Sequence, residues 1–281
     1  MDAARIAELL QPFLASGPCC KAGHSVPARS GVDKPADLSP AQLQSISTYI
    51  DLLLRWNARI NLTAIRDPEE IVTRHFGESL FAARLLFPVL AHGATDAPVR
   101  AAEQSSAVAS TLELPTDHGR ARGRAALEGR AEDPKSGALA PVAVADLGSG
   151  AGFPGVPIKL WAPHVSLTLI ESNHKKATFL REAARALTLT NVNVLTCRAE
   201  ELLNRSSGSP ASFDIVTLRA VERFEAILPI ASSLVAPQGR LVLLIGSAQV
   251  KPALAALPSL SWDNPVPVPL SRSRVVAVAQ R

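Results

Sequence analysis

Three glycines at alternate positions, Gly148, Gly150 and Gly152, follow the acidic residue Asp146 at the end of the apolar run Val142-Ala143-Val144-Ala145. Glycine takes φ > 0 at little cost and puts no Cβ in a ligand's way. A buried parallel strand that ends in such a loop can wrap closely around a nucleotide cofactor. Three further positions each follow directly on a predicted strand: Glu171, Ala199-Glu200 and Arg219. In an open α/β sheet, ligands bind beyond the carboxyl ends of the strands, at the topological switch point. All four positions therefore fall in one crevice.

The spacing bears on which cofactor. A dinucleotide loop reads G-x-G-x-x-G and presents a helix N-terminus to a pyrophosphate. Here the third glycine comes one residue early, and the bulky pair Phe153-Pro154 follows it. Asp146 would repel a diphosphate but suits an ammonium or sulfonium charge, and S-adenosylmethionine carries both. A carboxylate at Glu171 can accept from both ribose hydroxyls. Nicotinamide enzymes use the same device, so Glu171 supports a nucleoside without choosing between them. The predicted cofactor is S-adenosylmethionine, held by Asp146, Gly148, Gly150 and Glu171. The competing readings are a nicotinamide-dependent oxidoreductase and a plain tight turn flanked by two surface acids.

Methyl transfer from a sulfonium is an in-line displacement that depends mainly on alignment. Enzymes acting on exocyclic base amines generally show Asp/Asn-Pro-Pro-aromatic after the fourth strand, and carbon-5 pyrimidine enzymes need a nucleophilic cysteine. The fourth strand here ends Thr217-Leu218-Arg219-Ala220, with neither. Cys197 has no proline partner and reads as structural. An acceptor with an in-plane lone pair, such as guanine N7, needs no base.

These groups must be positioned by elements that the sequence also indicates. Residues 5–14 suit a short amphipathic helix. Ser39-Pro40 starts a second helix that runs to about Asn57, with Leu43, Ile46, Ile50, Leu53 and Leu54 on its apolar face. Asp67-Pro68-Glu69-Glu70 starts a third, which Pro88 ends. Beyond Pro141, strands alternate with helices: strands at 142–146, 165–170, 192–197, 213–218, 240–245 and 274–278, a turn at Pro237-Gln238-Gly239, and at most an edge strand in the Pro-rich stretch 257–271. Such alternation means crossover units and a mainly parallel sheet. The predicted organisation is an N-terminal helical extension over 1–90, flexible in part over 1–37, a low-complexity mobile insertion over 91–140, and an α/β cofactor-binding core over 141–281.

With 47% hydrophobic residues in 281, the chain has ample material for a core. No apolar run reaches the roughly 18 residues of a membrane span, and no basic leader precedes a long apolar segment. The three cysteines, Cys19, Cys20 and Cys197, form neither a disulfide framework nor a metal motif. A reducing, cytoplasmic setting without metal or membrane is expected. A net charge of +4 is compatible with nucleic acid without demanding it.

Five motifs in order, Trp56-Asn57-x-x-x-Asn61-Leu62-Thr63, His75-Phe76-x-Glu78-Ser79-Leu80, Asp146 through Pro157, Lys176-x-x-Phe179-Leu180 and Arg219-Ala220, resemble the RsmG (GidB) family. The resemblance covers about residues 39–90 and 141–281. It implies a Rossmann-like S-adenosylmethionine-dependent methyltransferase fold with a mainly parallel seven-stranded sheet. It also implies methylation of guanine N7 in bacterial 16S ribosomal RNA, by a monomer acting on that RNA or on the 30S particle. The family's cofactor contacts fall on Gly148, Phe153, Ala199, Glu200 and Arg219, with Arg219 also a positioning residue near the methionine moiety or the target guanine. Arg55, Arg59, Arg66, Arg74 and Lys175-Lys176 are candidate phosphate contacts, though each could equally be solvated surface. His75 and Trp56 read as core residues first. Ile245-Gly246 departs from the Lys-Gly common in relatives. A small-molecule methyltransferase and a non-catalytic RNA-binding module that keeps the fold are the alternatives.

Overall fold

The computed structural model describes residues 1–15, 37–88, 141–204, 212–221 and 223–281. The insertion expected at 91–140 lies outside the described residues, as do Cys19, Cys20 and most of the expected lead-in. The described residues belong to one compact unit.

The first helix, α1 (Ala3–Leu14), buries Ile6, Leu10, Phe13 and Leu14 along one stripe. α2 (Pro40–Asn57) begins as its sequence indicates, at a reciprocal cap: Ser39 Oγ accepts from the Gln42 N–H, and Gln42 Oε1 accepts from the Ser39 N–H at 2.8 Å. Its Ile46, Tyr49, Ile50 and Leu53 are fully buried. The third helical stretch opens with α3 (Pro68–Glu70), capped by Asp67, whose Oδ1 accepts from the Glu70 N–H at 2.9 Å. It passes through a π-helical segment, Ile71–Gly77, into α4 (Glu78–Leu86). The π segment was not indicated by the 3.6-residue pattern. Such widened turns are rare and concentrate at functional sites.

The α/β region runs β1 (Ala143–Leu147), α5 (Gly155–Trp161), β2 (Ser166–Ile170), α6 (His174–Ala186), β3 (Val192–Leu195), α7 (Ala199–Asn204), β4 (Phe213–Arg219), α8 (Phe224–Ser233) and β5 (Val235–Gly246). A short 3-10 turn (Ser247–Gln249) and α9 (Val250–Ala256) follow, then β6 (Ser261–Trp262), β7 (Val266–Pro267) and β8 (Arg274–Gln280). Seven strands lie side by side in the order β3-β2-β1-β4-β5-β8-β6, and the two-residue β7 also pairs with β8. Strands β1 to β5 are parallel, while β8 runs antiparallel to β5. The chain moves outward from β1 to β3 and then returns to the other side of β1. The switch point therefore falls between β1 and β4.

Alternate strand residues feed two apolar layers. Val144, Leu167, Leu169, Val242 and Leu244 join the layer containing α1, α2 and α4. Ala145, Ile170, Val216, Leu218, Leu241 and Leu243 join the layer containing α8 and α9. The N-terminal helices thus share a core with the sheet. One expected boundary is corrected: Pro237-Gln238-Gly239 is not a turn before the fifth strand but lies inside the 12-residue β5. Gln238 takes φ +63°, and the β4–β5 register shifts between Phe213 and Ile215, so a bulge absorbs the extra residues.

Candidate active site

The three loop glycines all adopt left-handed backbone, with φ of +68° at Gly148, +55° at Gly150 and +79° at Gly152. At Gly152 there is also no room for a side chain: a Cβ would stand 2.6 Å from the Tyr49 hydroxyl and 2.9 Å from Val156 Cγ2. The loop folds over the end of β2. The N–H groups of Gly148 and Ser149 both donate to the Ile170 carbonyl, at 2.8 and 3.0 Å. Ser149, which sequence reasoning passed over as a loop residue, is 2% exposed. Its hydroxyl donates to the Asp146 carbonyl and accepts from the Ile170 N–H, tying β1 to β2.

Asp146 is fully buried. Its Oδ2 accepts from the Gly155 N–H at 3.1 Å, and its Oδ1 accepts from the Thr217 hydroxyl at 2.9 Å. Both oxygens are engaged by the protein itself, so the carboxyl braces the two ends of the glycine loop against β4. Burial pushes its pKa up to about 6, against the pull of those hydrogen bonds and of Arg219. Glu171 is also turned inward: its Oε2 accepts from the Gly150 N–H at 2.9 Å and its Oε1 from the Asn173 N–H at 2.7 Å. Asn173 then caps α6 by accepting from the N–H groups of Lys175 and Lys176. Glu171 thereby holds the glycine loop and the helix start in fixed relation.

Phe153 is 6% exposed, with its ring committed to a cluster from the N-terminal helices. It stacks on His75 at 4.8 Å between centroids and meets Tyr49 and Phe76 edge-on at 5.7 and 5.1 Å. Tyr49, fully buried, donates from its hydroxyl to the Ala151 carbonyl. A helix far away in sequence thus reaches the tip of the loop, a contact no local pattern announces.

Arg219 leaves the end of β4 and enters the π segment. Its Nη1 donates to His75 Nδ1 at 2.9 Å, and its Nη2 donates to the Arg74 carbonyl at 2.7 Å and to Glu78 Oε2 at 3.2 Å. Arg274, at the start of β8, reaches the same Glu78 oxygen at 3.3 Å. Glu78, 6% exposed, is the counter-ion of two guanidinium groups. Arg219 Nε is buried and has no hydrogen-bond partner among the described residues. Burial and three arginines, Arg219 first, push the His75 pKa down to about 3, so its ring is neutral.

A cleft of about 510 Å³ opens beyond β2 and β3, lined by Ser172, Asn173, His174, Thr196, Cys197 and Glu201 among others. Ala199, at the start of α7, is buried beside it, whereas Glu200 is exposed. Glu201 rather than Glu200 faces the cleft, and its Oε1 accepts from the Arg198 N–H. The donor set fits a nucleoside joined to a charged chain. The polar cleft suits a base and ribose, and the glycine loop admits close approach. At the switch point stands a guanidinium with a donor to spare.

Among the other sequence candidates, Arg55, Arg59, Arg66, Arg74 and Lys175 are exposed, and Lys176 is half-buried. Ile245 is 2% exposed and belongs to the α8–α9 layer. Among the described residues no group of acids, histidines and cysteines could hold a metal, and no helix is long and apolar enough to cross a membrane.

The rRNA small subunit methyltransferase G (GidB) family matches residues 42–88 and 135–263. A ribosomal RNA small subunit methyltransferase G from Xanthomonas axonopodis pv. citri (strain 306) is 33% identical over 225 residues, covering 79% of this chain and 78% of the relative. One from Bacillus pumilus (strain SAFR-032) is 30% identical over 216 residues, covering 77% of this chain and 69% of the relative. Among solved structures, a ribosomal protein L11 methylase from Lactobacillus delbrueckii subsp. bulgaricus superposes with a TM-score of 0.42 at 17% identity, over 52% of this chain and 72% of that one.

Proposed function

The chain belongs to the rRNA small subunit methyltransferase G family, and on that premise we propose that it methylates N7 of a guanine in small-subunit ribosomal RNA. The cofactor is S-adenosylmethionine, which when bound supplies an electrophilic methyl on a positively charged sulfur. The observation that carries the N7 assignment is that, among the described residues, the histidine and the aspartate beside the end of β4 are both already engaged and not free to act as a base. His75 is neutral, with Nδ1 spent on Arg219, and Asp146 has both oxygens occupied. Guanine N7 has an in-plane lone pair and no proton to lose. Its attack forms the N7–carbon bond as the sulfur–carbon bond breaks, and that electron pair returns to sulfur. The product base carries the positive charge, and no proton moves.

In this reading the protein aligns rather than activates. Gly148 and Gly150 let the cofactor lie close on the backbone. The cleft beyond β2 and β3, with Ala199 and Glu200 at its α7 rim, takes the adenosine. Arg219 stands where the methionine carboxylate would find a cationic partner, and Asp146 and Glu171 hold the loop that positions it. Phe153 contributes through its backbone, because its ring packs under the N-terminal helices.

The protein acts as a cytoplasmic monomer on the ribosomal RNA or the 30S particle. The helices over 1–90 cap the 141–281 core and help form the RNA surface, and 91–140 is an insertion between them. Titration calorimetry with S-adenosylmethionine and with NAD tests the cofactor. Heat from the first alone is expected, and binding of NAD would contradict the assignment. A methyl-transfer rate that turns steeply on one ionisation near neutral pH would contradict base-free transfer.

A further inference from the structure

A second cleft, of about 420 Å³, lies between the ends of β4 and β5, lined by Arg223, Phe224, Glu225, Ala226, Gln249 and Pro252. That volume is in the range of small-ligand sites. We propose that it is the acceptor-base pocket, in which Glu225 reads the Watson–Crick edge of the target guanine and Phe224 stacks on its ring. This assignment rests on the methyl-transfer reading above and adds the residues that choose the base.

Its position follows from the chain leaving β4. Val221 lies over the glycine loop, so that a Cβ on Gly148 would come within 2.9 Å of Val221 Cγ1. Two residues later Arg223 takes left-handed backbone, φ +53°, and turns the chain into α8. The opposite wall comes from the end of β5. There Gln249 Oε1 accepts from the Gly246 N–H at 3.0 Å, which fixes its carboxamide. The cleft therefore lies on the β4–β5 side of the glycine loop, whereas the nucleoside cleft lies on the β2–β3 side. A base in one and a cofactor in the other would meet across the switch point.

The lining has guanine chemistry. Guanine presents N1–H and N2–H₂ as adjacent donors, which one carboxylate accepts together, and Glu225 is an exposed carboxylate with no hydrogen bond or ion pair among the described residues. Adenine would set its N1 lone pair against the same oxygens. N7 lies on the other side of the purine from the edge that Glu225 would hold. Phe224, half-buried against the α8 layer, offers an aromatic face to the base. A ring that becomes cationic on N7 methylation gains from a π-face and a nearby carboxylate. Exposed Arg223 is placed for a phosphate of the same nucleotide, which fixes position but not identity. The base reaches the cleft only when it is out of any stack, as for other enzymes that modify bases.

The test compares Glu225→Gln and Phe224→Leu with wild type, using unmodified 30S subunits and labelled S-adenosylmethionine. Cofactor affinity and melting temperature are measured alongside. Expected are near-native affinity and melting, with kcat/KM down about 10- to 100-fold for Glu225→Gln, the range for loss of a bidentate base contact. A further readout is inosine at the labelled position, which lacks N2–H₂. Wild type should prefer guanine about 10-fold, and Glu225→Gln should lose most of that preference. Glu225 serving only the helix start would leave the preference intact and overturn the assignment. So would native kcat/KM in both variants. A wild type that labels no guanine overturns the methyl-transfer reading and this pocket with it, whereas a labelled guanine with unaffected variants overturns the pocket alone.

Discussion

Arg219 Nη1 donates to His75 Nδ1 across 2.9 Å, and the bond settles which proton His75 carries. A guanidinium has no lone pair to offer, so Nδ1 must be bare and Nε2 must hold the hydrogen. Nε2 lies 2.7 Å from the Thr63 hydroxyl, which accepts it. An imidazolium here would confront Arg219, Arg74 and Arg274 at once, and burial adds to that penalty. Between about pH 6.5 and 3 the unfolded chain binds a proton at His75 that the folded chain refuses, so this residue withdraws stability as pH falls through that window. His75→Gln keeps an acceptor for Arg219 and should hold cofactor affinity within a few-fold, with a flatter acid limb in denaturant unfolding. His75→Lys sets an ammonium against the guanidinium and should lower affinity by 10-fold or more. Equal affinities for the two variants would dissolve the link between the helices and β4.

Asp146 works in the opposite sense. Its folded pKa of about 6 exceeds the ordinary carboxylate value of 3.8, because burial outweighs its hydrogen bonds. Its stabilising protonation is complete below pH 3.8 and is lost as pH rises through 6, on the order of 3 kcal/mol in all. Asp146→Asn cannot titrate. Measured from pH 4 to 7, its stability relative to wild type should climb by that order. A constant difference would mean that Asp146 is ionised throughout.

Tyr49→Phe removes the donor to the Ala151 carbonyl at the loop tip. The loss should cost about 1–2 kcal/mol in unfolding free energy, as for a buried acceptor left unpaired. Cofactor affinity should fall several-fold, because the loop loses its tie to α2. Gly152→Ala should be worse, and Tyr49→Phe should not rescue it, since φ of +79° and Val156 remain against any side chain.

Gly148→Val adds a branched side chain at φ +68° and drives it into Val221. Binding of S-adenosylmethionine should fall at least 100-fold in calorimetry while far-UV dichroism stays native. Undiminished binding would move the cofactor away from this loop.

Much of the architecture was legible in residue order. Ser39-Pro40 and Asp67-Pro68 marked helix starts because caps are local. The glycines' positive φ followed from their type and spacing. The roles of the acids were less legible. Asp146 and Glu171 were expected to face a ligand; Asp146 also holds the Gly155 N–H and the Thr217 hydroxyl, and Glu171 the N–H groups of Gly150 and Asn173, ties that only long-range geometry could reveal. The π segment and the Glu78 bridge between Arg219 and Arg274 were hidden for the same reason: residues 78, 219 and 274 meet only after the sheet forms. The fifth strand's bulge was read as a turn because Pro-Gln-Gly carries turn chemistry in either setting.

The most direct measurement is to incubate the full chain with unmodified small ribosomal subunits and labelled S-adenosylmethionine, then map the label to a single atom of the RNA. Label on N7 of one guanine is the expected result. Label on an exocyclic amine, a ring carbon or a ribose hydroxyl, each of which must lose a proton, would contradict a site whose histidine and aspartate are both already bound.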